Sequence, residues 1–234
     1  MKTPLSKRKN VFFISLQRVG SNYLEIVLNK NTTTDIDFRG YLLDDGNAMS
    51  KHCFPEHIDY LKKAKIPQED FILVVKNPYM WVESVAFNDR MSSEFRESLW
   101  WGFEKYDLEV NPNIGNLRYN LTSLTRLYKD FYTKWMEYLD NNSDIQLVKY
   151  EDFLDESKAE ESSKNIISKI GCGSVLNDFN LHYGNVRYSK GFEKKDFNYN
   201  KKEAPEKLSS NNIKKITSLL GKDFIQSLGY EAYV

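Results

Sequence analysis

Three short apolar runs, Val11–Ser15 (VFFIS), Phe71–Val75 (FILVV) and Ile145–Tyr150 (IQLVKY), stand between polar or turn residues along the chain. Their length and their content of branched and aromatic side chains predict strands. Each gives way to residues spaced for a helix. After Gly20, the apolar positions Tyr23, Leu24, Val27 and Leu28 fall on one helical face. After Pro78, Trp81, Val82 and Val85 do the same, and after Asp152 the pattern runs through Ile167 and Ile170. Strands alternating with helices predict a mostly parallel sheet covered by helices, a three-layer α/β domain.

Between the second and third runs, LTSLTRLYKDFYTKWMEYL places Leu121, Leu124, Leu127 or Tyr128, Phe131, Trp135 and Leu139 at helical spacing. A long amphipathic helix is expected there, with its aromatic stripe serving the core. Residues 185–207 are polar, basic and without period, which predicts a loop or lid. Pro205 and LSSNN then introduce a last helix through Leu219 and Leu220. No internal repeat is visible.

Composition narrows the function classes. A chain of 234 residues suits one sizeable core, so a single domain over 1–234 is expected, with residues 1–10 as a basic N-terminal tail. Charged residues make up 28% and balance to a formal net charge of +0, so no global field draws the protein to nucleic acid or to an acidic membrane. Any anion site must be local. The two cysteines, Cys53 and Cys172, offer neither a disulfide framework nor a Cys-based zinc spacing, which points to a reducing, cytoplasmic setting. The apolar run behind the basic tail stops at Gln17 and Arg18, short of a signal sequence or a membrane span, and a soluble protein is expected. The glycosylation-type triplet at Asn120 carries little weight without a secretory signal.

The chemistry concentrates where strands hand over to helices. In SLQRVGSNYL, Gly20 permits a close backbone approach and the amides that follow point out of a helix N-terminus toward an anion. Arg18 adds a forked cation suited to phosphate or sulfate. An ordinary strand-to-helix turn with a surface arginine has the same look, and the Gly-Lys-Ser/Thr ending of nucleoside triphosphatases is absent. In FILVVKNPYMWVESVAF, Lys76 sits at the strand end, Asn77 and Pro78 open the next helix, and Ser84 lies two turns along it. A parallel sheet puts Lys76 at its carboxyl edge, where open sheets bind ligands.

These segments resemble a known family. QRVGSNYL is similar to the PKSGTTWL or PRSGTT loop of sulfotransferases that use 3′-phosphoadenosine 5′-phosphosulfate, and VVKNPYMWVESV is similar to their VARNPKDVAVSY motif. The family holds the donor's 3′-phosphate with an Arg and a Ser eight positions later, and Lys76 and Ser84 keep that interval. LVKYEDFL resembles the YEDL segment, whose tyrosine lies near the adenine, which implies that role for Tyr150. The LGY at Leu228–Tyr230 and the chain length are also family-like. KHCFP resembles the KTHLP stretch that supplies the proton-accepting histidine, so His52 is the implied base, with His57 and Glu56 as rivals. The imidazole's ordinary pKa, about 6.5, suits proton abstraction near neutrality. RYSKGF, Arg187–Phe192, resembles the late RKG segment, which implies that Lys190 and Gly191 touch the 3′-phosphate.

The resemblance implies a nucleotide-kinase-like, P-loop-like sulfotransferase fold. It implies sulfuryl transfer from 3′-phosphoadenosine 5′-phosphosulfate to a hydroxyl or amine of a carbohydrate or small molecule, with no metal required. The donor would be held by Arg18, Val19, Gly20, Ser21, Asn22, Tyr23, Lys76, Ser84, Tyr150, Lys190 and Gly191, with Arg18 and His52 catalytic. Gln17 stands for the family's Pro, Val19 for Ser, Asn22 for Thr and Lys76 for the commoner Arg, substitutions expected to weaken donor binding. A P-loop small-molecule kinase and a degenerate, non-catalytic nucleotide binder remain alternatives. Acceptor walls are expected from Asp89–Gly115, with Trp100 and Trp101, and from the lid around Arg187–Asn200. A homodimer stays open.

Overall fold

The computed structural model describes residues 9–33, 36–38, 52, 54–57, 71–87, 106, 119–140, 146–171, 173–181 and 205–233. Four strands, β1 (Lys9–Ile14), β2 (Ile36–Phe38), β3 (Phe71–Val75) and β4 (Gln146–Lys149), form one sheet in the order β2-β1-β3-β4. Every pairing is parallel, with Phe12 opposite Phe71 and Val74 opposite Val148 in the register. The chain is therefore an α/β protein built on a parallel sheet. β3 is buried at all five positions, as a central parallel strand covered on both faces must be.

The helices are α1 (Ser21–Asn31), α2 (Pro78–Ala86), α3 (Leu121–Asp140), α4 (Glu156–Ile170), α5 (Ser210–Leu220) and α6 (Lys222–Ser227). Their buried stripes match the expected periods. Leu121, Leu124, Leu127, Tyr128, Phe131 and Trp135 line the inner face of α3, and Tyr23, Leu24, Val27 and Leu28 that of α1. Side-chain caps fix several starts. Asn77 Oδ1 accepts the amides of Tyr79 and Met80, Asn120 Oδ1 those of Thr122 and Ser123, and Ser209 Oγ that of Asn212.

The last expected helix ends at Leu220 as its pattern indicates, one strand boundary differs, and two elements, β2 and α6, lie outside the sequence expectation. β2 is too short to carry a readable period. The third apolar run leaves the sheet at Lys149, and Tyr150 opens a 3-10 turn, Tyr150–Leu154, that folds its ring back against Gly20. The last helical segment breaks at Gly221 and restarts as α6, because Gly221 adopts φ 84, a conformation that stops a helix.

The topology itself marks a place for a ligand. From β1 the chain moves outward to β2 and then returns to the other side of β1 as β3, so the strand order reverses between β1 and β3. Where strand order reverses in this way, the general right-handed rule for crossovers sends the helices of the two halves to opposite faces, and a crevice is expected beyond the carboxyl ends of the two strands. The packing agrees: α3 lies against α2 and α5, whereas α1 lies against the turn that follows β4. No helix among the described residues is long and apolar enough to cross a membrane.

Candidate functional site

Two loops flank that crevice, Ser15–Gly20 after β1 and Lys76–Asn77 after β3, and the turn after β4 reaches both. In the first loop Arg18 is exposed and takes φ 65, a left-handed conformation that costs a non-glycine residue about 1–2 kcal/mol. Gly20 follows at φ 101 and caps α1 without a side chain. The Tyr23 amide is committed to the Gly20 carbonyl at 2.9 Å, so an anion at this helix end meets only the amides ahead of it. Val19 is 1% exposed and belongs to the core, so its side chain is turned away and its backbone alone faces the loop.

Gly20 is needed for a reason the sequence did not give. A Cβ there would stand 2.6 Å from Tyr150 Cδ2 and closer still to Cε2, so the missing side chain makes room for the tyrosine ring. That ring is 8% exposed. It meets the Tyr23 ring edge-on at 6.3 Å, and Lys76 Nζ lies 5.3 Å from its centroid. Tyr150 is thus a wedge between the two loops and leaves a ligand little more than an edge. Tyr23 itself donates its hydroxyl to the Phe153 carbonyl at 3.2 Å. The side chain of Asn22 lies outside the described residues.

The second loop is held by hydroxyls. Tyr128 donates to the Lys76 carbonyl and, within the strand that feeds the loop, Tyr132 donates to that of Val74 at 2.8 Å, while the Tyr230 oxygen lies 3.4 Å from the Val75 carbonyl. Glu151 completes the set, accepting the Asn77 amide at 2.8 Å on one oxygen and the Tyr230 hydroxyl at 2.7 Å on the other. Burial, more than any neighbouring charge, pushes the three phenols well above the ordinary tyrosine range. Ser84 returns to the Asn77 side of α2 seven residues on, half-buried, and donates its hydroxyl to the Trp81 carbonyl at 2.8 Å. To donate to a phosphate it has to turn away from that carbonyl.

His52 reaches the first loop. Its Nδ1 lies 2.6 Å from the Ser15 carbonyl, which can only accept, so Nδ1 carries the proton and the lone pair of the neutral ring sits on Nε2. The Ser15 hydroxyl is fully buried at the start of the same loop and has no partner among the described residues. Glu56 is exposed and ion-paired with Lys134 on α3, which occupies one of the rival bases; the side chain of His57 lies outside the described residues. Lys190 and Gly191, the loop 89–115 apart from Tyr106 and with it Trp100 and Trp101, the lid up to residue 204, and residues 1–8 of the tail are also outside them.

The structure thus brings together Arg18, Gly20, Lys76, Tyr150 and His52, with Ser84 farther along α2. Sequence reasoning missed Glu151, the hydroxyls of Tyr128, Tyr132 and Tyr230, and the indole of Trp81, which donates to the Gln17 carbonyl at 2.7 Å. These residues read as apolar stripe or as motif filler. The signal available was that a buried tyrosine or tryptophan needs a partner for its polar atom. Among the described residues, no group of three His, Cys, Asp or Glu side chains is placed to hold a metal ion.

No family model matches the chain, and no curated protein matches it. A solved sulfotransferase from Alicyclobacillus acidocaldarius is similar over 96% of this chain and 97% of its own, at 10% identity and a TM-score of 0.44. Likeness at that level bears no argument about the chemistry.

Proposed function

We propose that the protein is a sulfotransferase that uses 3′-phosphoadenosine 5′-phosphosulfate and modifies a hydroxyl or amine of a small molecule or carbohydrate. One observation carries the reading: the crevice where the strand order reverses is flanked by a cationic loop on each side, Arg18 after β1 and Lys76 after β3, joined through Tyr150. The residues present fit a ligand with anions at both ends. Arg18 and the amides ahead of Tyr23 suit the 5′ end, Lys76 and Ser84 the 3′-phosphate, and the orphaned Ser15 hydroxyl offers one more donor.

When bound, this co-substrate supplies the sulfuryl group and a phosphate leaving oxygen. The chain's residues do the rest. His52 accepts the acceptor's proton on Nε2, its ring held by the Ser15 carbonyl. Arg18 and the helix N-terminus balance negative charge at the 5′ end, the electrostatic role that dominates group transfers of this kind. Lys76 positions the ligand without taking part in bond changes.

Transfer of labelled sulfate to a panel of carbohydrate, lipid and phenolic acceptors tests the activity. His52→Ala is expected to lower turnover about 10²-fold while donor affinity is kept. Transfer to no acceptor removes the catalytic reading, and undiminished turnover in His52→Ala moves the base elsewhere.

A further inference from the structure

Trp81 is fully buried on α2, with its ring 5.3 Å from that of Tyr128. A buried indole N–H needs an acceptor, and of the carbonyls around it this one takes that of Gln17, at 2.7 Å, in the first loop. Gln17 immediately precedes Arg18, the single non-glycine residue with positive φ among the described residues. Such a conformation persists only where the surroundings impose it. On the far side, Gly20 is pressed against Tyr150. The arginine is therefore set by a hydrogen bond on one flank and a ring on the other.

We propose that Trp81 is the positioning residue of the first loop, and that its indole N–H fixes the backbone conformation that aims Arg18 and the following amides at the 5′ anion of the ligand. The inference rests on the sulfotransferase reading of the site and adds to it. The second motif contributes Lys76 and Ser84 to the 3′ end and, through Trp81 on the same helix, the geometry of the 5′ end.

Mononucleotides separate the two ends. Adenosine 5′-monophosphate probes the first loop and adenosine 3′-monophosphate probes Lys76, both measured by calorimetry on the full chain. Trp81→Phe removes the N–H and retains an aromatic ring. It is expected to weaken the 5′-phosphate ligand roughly tenfold, the effect of a competent loop conformation that is populated only about a tenth of the time once its anchor is gone, and the 3′-phosphate ligand less than twofold. Trp135→Phe, a similar truncation of a fully buried ring on α3, should lower stability without changing the ratio of the two affinities. Equal losses for both ligands, or none, in Trp81→Phe overturn the positioning role. Wild-type protein that binds neither nucleotide overturns the reading of the site and the inference with it.

Should Trp81→Phe fail to fold, wild-type protein carrying ¹⁵N-labelled tryptophan answers the same question. The chain has four tryptophans, so Trp100→Phe, Trp101→Phe and Trp135→Phe assign the Trp81 indole signal by elimination. That signal should shift with the 5′-phosphate ligand and stay in place with the 3′-phosphate ligand. Indifference to the 5′-phosphate ligand contradicts the proposal.

Discussion

The two loops at the carboxyl edge are built in opposite ways. The contacts on the first loop come from different parts of the chain: His52 on Ser15, Tyr132 on Leu16, Trp81 on Gln17, Tyr150 on Gly20. Between those contacts an exposed arginine is held in a strained conformation. The second loop carries no such strain: with the strand end that feeds it, it is bonded by Tyr132 at Val74, Tyr128 at Lys76 and Glu151 at Asn77, and Glu151 is itself bonded by the Tyr230 hydroxyl. The difference shows how one sheet edge supports two kinds of cation. Lys76 leaves a backbone bonded at its own carbonyl and at the next amide, and acts as a fixed charge. The geometry of Arg18 is imposed from outside, so single remote substitutions can spoil it.

Gly20→Ala is the strongest way to break the first loop alone. It combines a positive φ with a Cβ driven into the Tyr150 ring, and should destabilise the fold by about 3 kcal/mol in urea unfolding. The pair Gly20→Ala with Tyr150→Ala should be less unstable than the sum of the two single variants, because the clash exists only when both side chains are present. Strict additivity would deny that Tyr150 is what requires the glycine.

Glu151→Ala attacks the second loop. It strands the Asn77 amide and the Tyr230 hydroxyl and should cost about 2 kcal/mol, with Glu151→Gln costing less because an acceptor remains for the amide. Equal costs for both variants would mean that the carboxylate's hydrogen bonds do not hold this loop.

Alkaline pH tests the phenols, which serve chiefly the second loop, although Tyr132 also bonds the Leu16 backbone of the first. Tyr128, Tyr132 and Tyr230 have folded-state pKa values above the ordinary 10, chiefly through burial. The folded protein keeps protons that the unfolded chain sheds above about pH 10. Their contribution is therefore complete below pH 10 and declines above it, by about 1.4 kcal/mol per pH unit for each phenol. Urea midpoints measured from pH 8 to 11 should stay level and then drop. A level profile through pH 11 would contradict the burial of these hydroxyls.

Much of this architecture was legible in the chain. The strands around Phe13, Leu73 and Val148, the stripe of α3 and the cap at Asn77 follow from period and capping rules, because burial on one face leaves a repeating mark. β2, with three residues, is too short to leave one. Arg18, Gly20 and Lys76 stood out as residue types at strand ends, and His52 through its KHCFP setting. What held them did not stand out. Hydrophobic patterns score Trp81, Tyr128 and Tyr132 as apolar and ignore the single polar atom each carries, and Glu151 becomes meaningful only once β3 and β4 lie side by side. Tyr230 was visible as part of LGY, yet its purpose depends on a contact 79 residues away.

The central claim is that the crevice between β1 and β3 takes a nucleotide with a phosphate at each end, with Lys76 reading the 3′-phosphate. Calorimetry of 3′-phosphoadenosine 5′-phosphate against adenosine 5′-monophosphate, on wild type and Lys76→Ala, tests it most directly. The account predicts that wild type prefers the bisphosphate by at least roughly tenfold, the worth of a charge-assisted contact, and that Lys76→Ala erases most of that preference. Equal affinity of the wild type for the two nucleotides, or a preference untouched by Lys76→Ala, would contradict it.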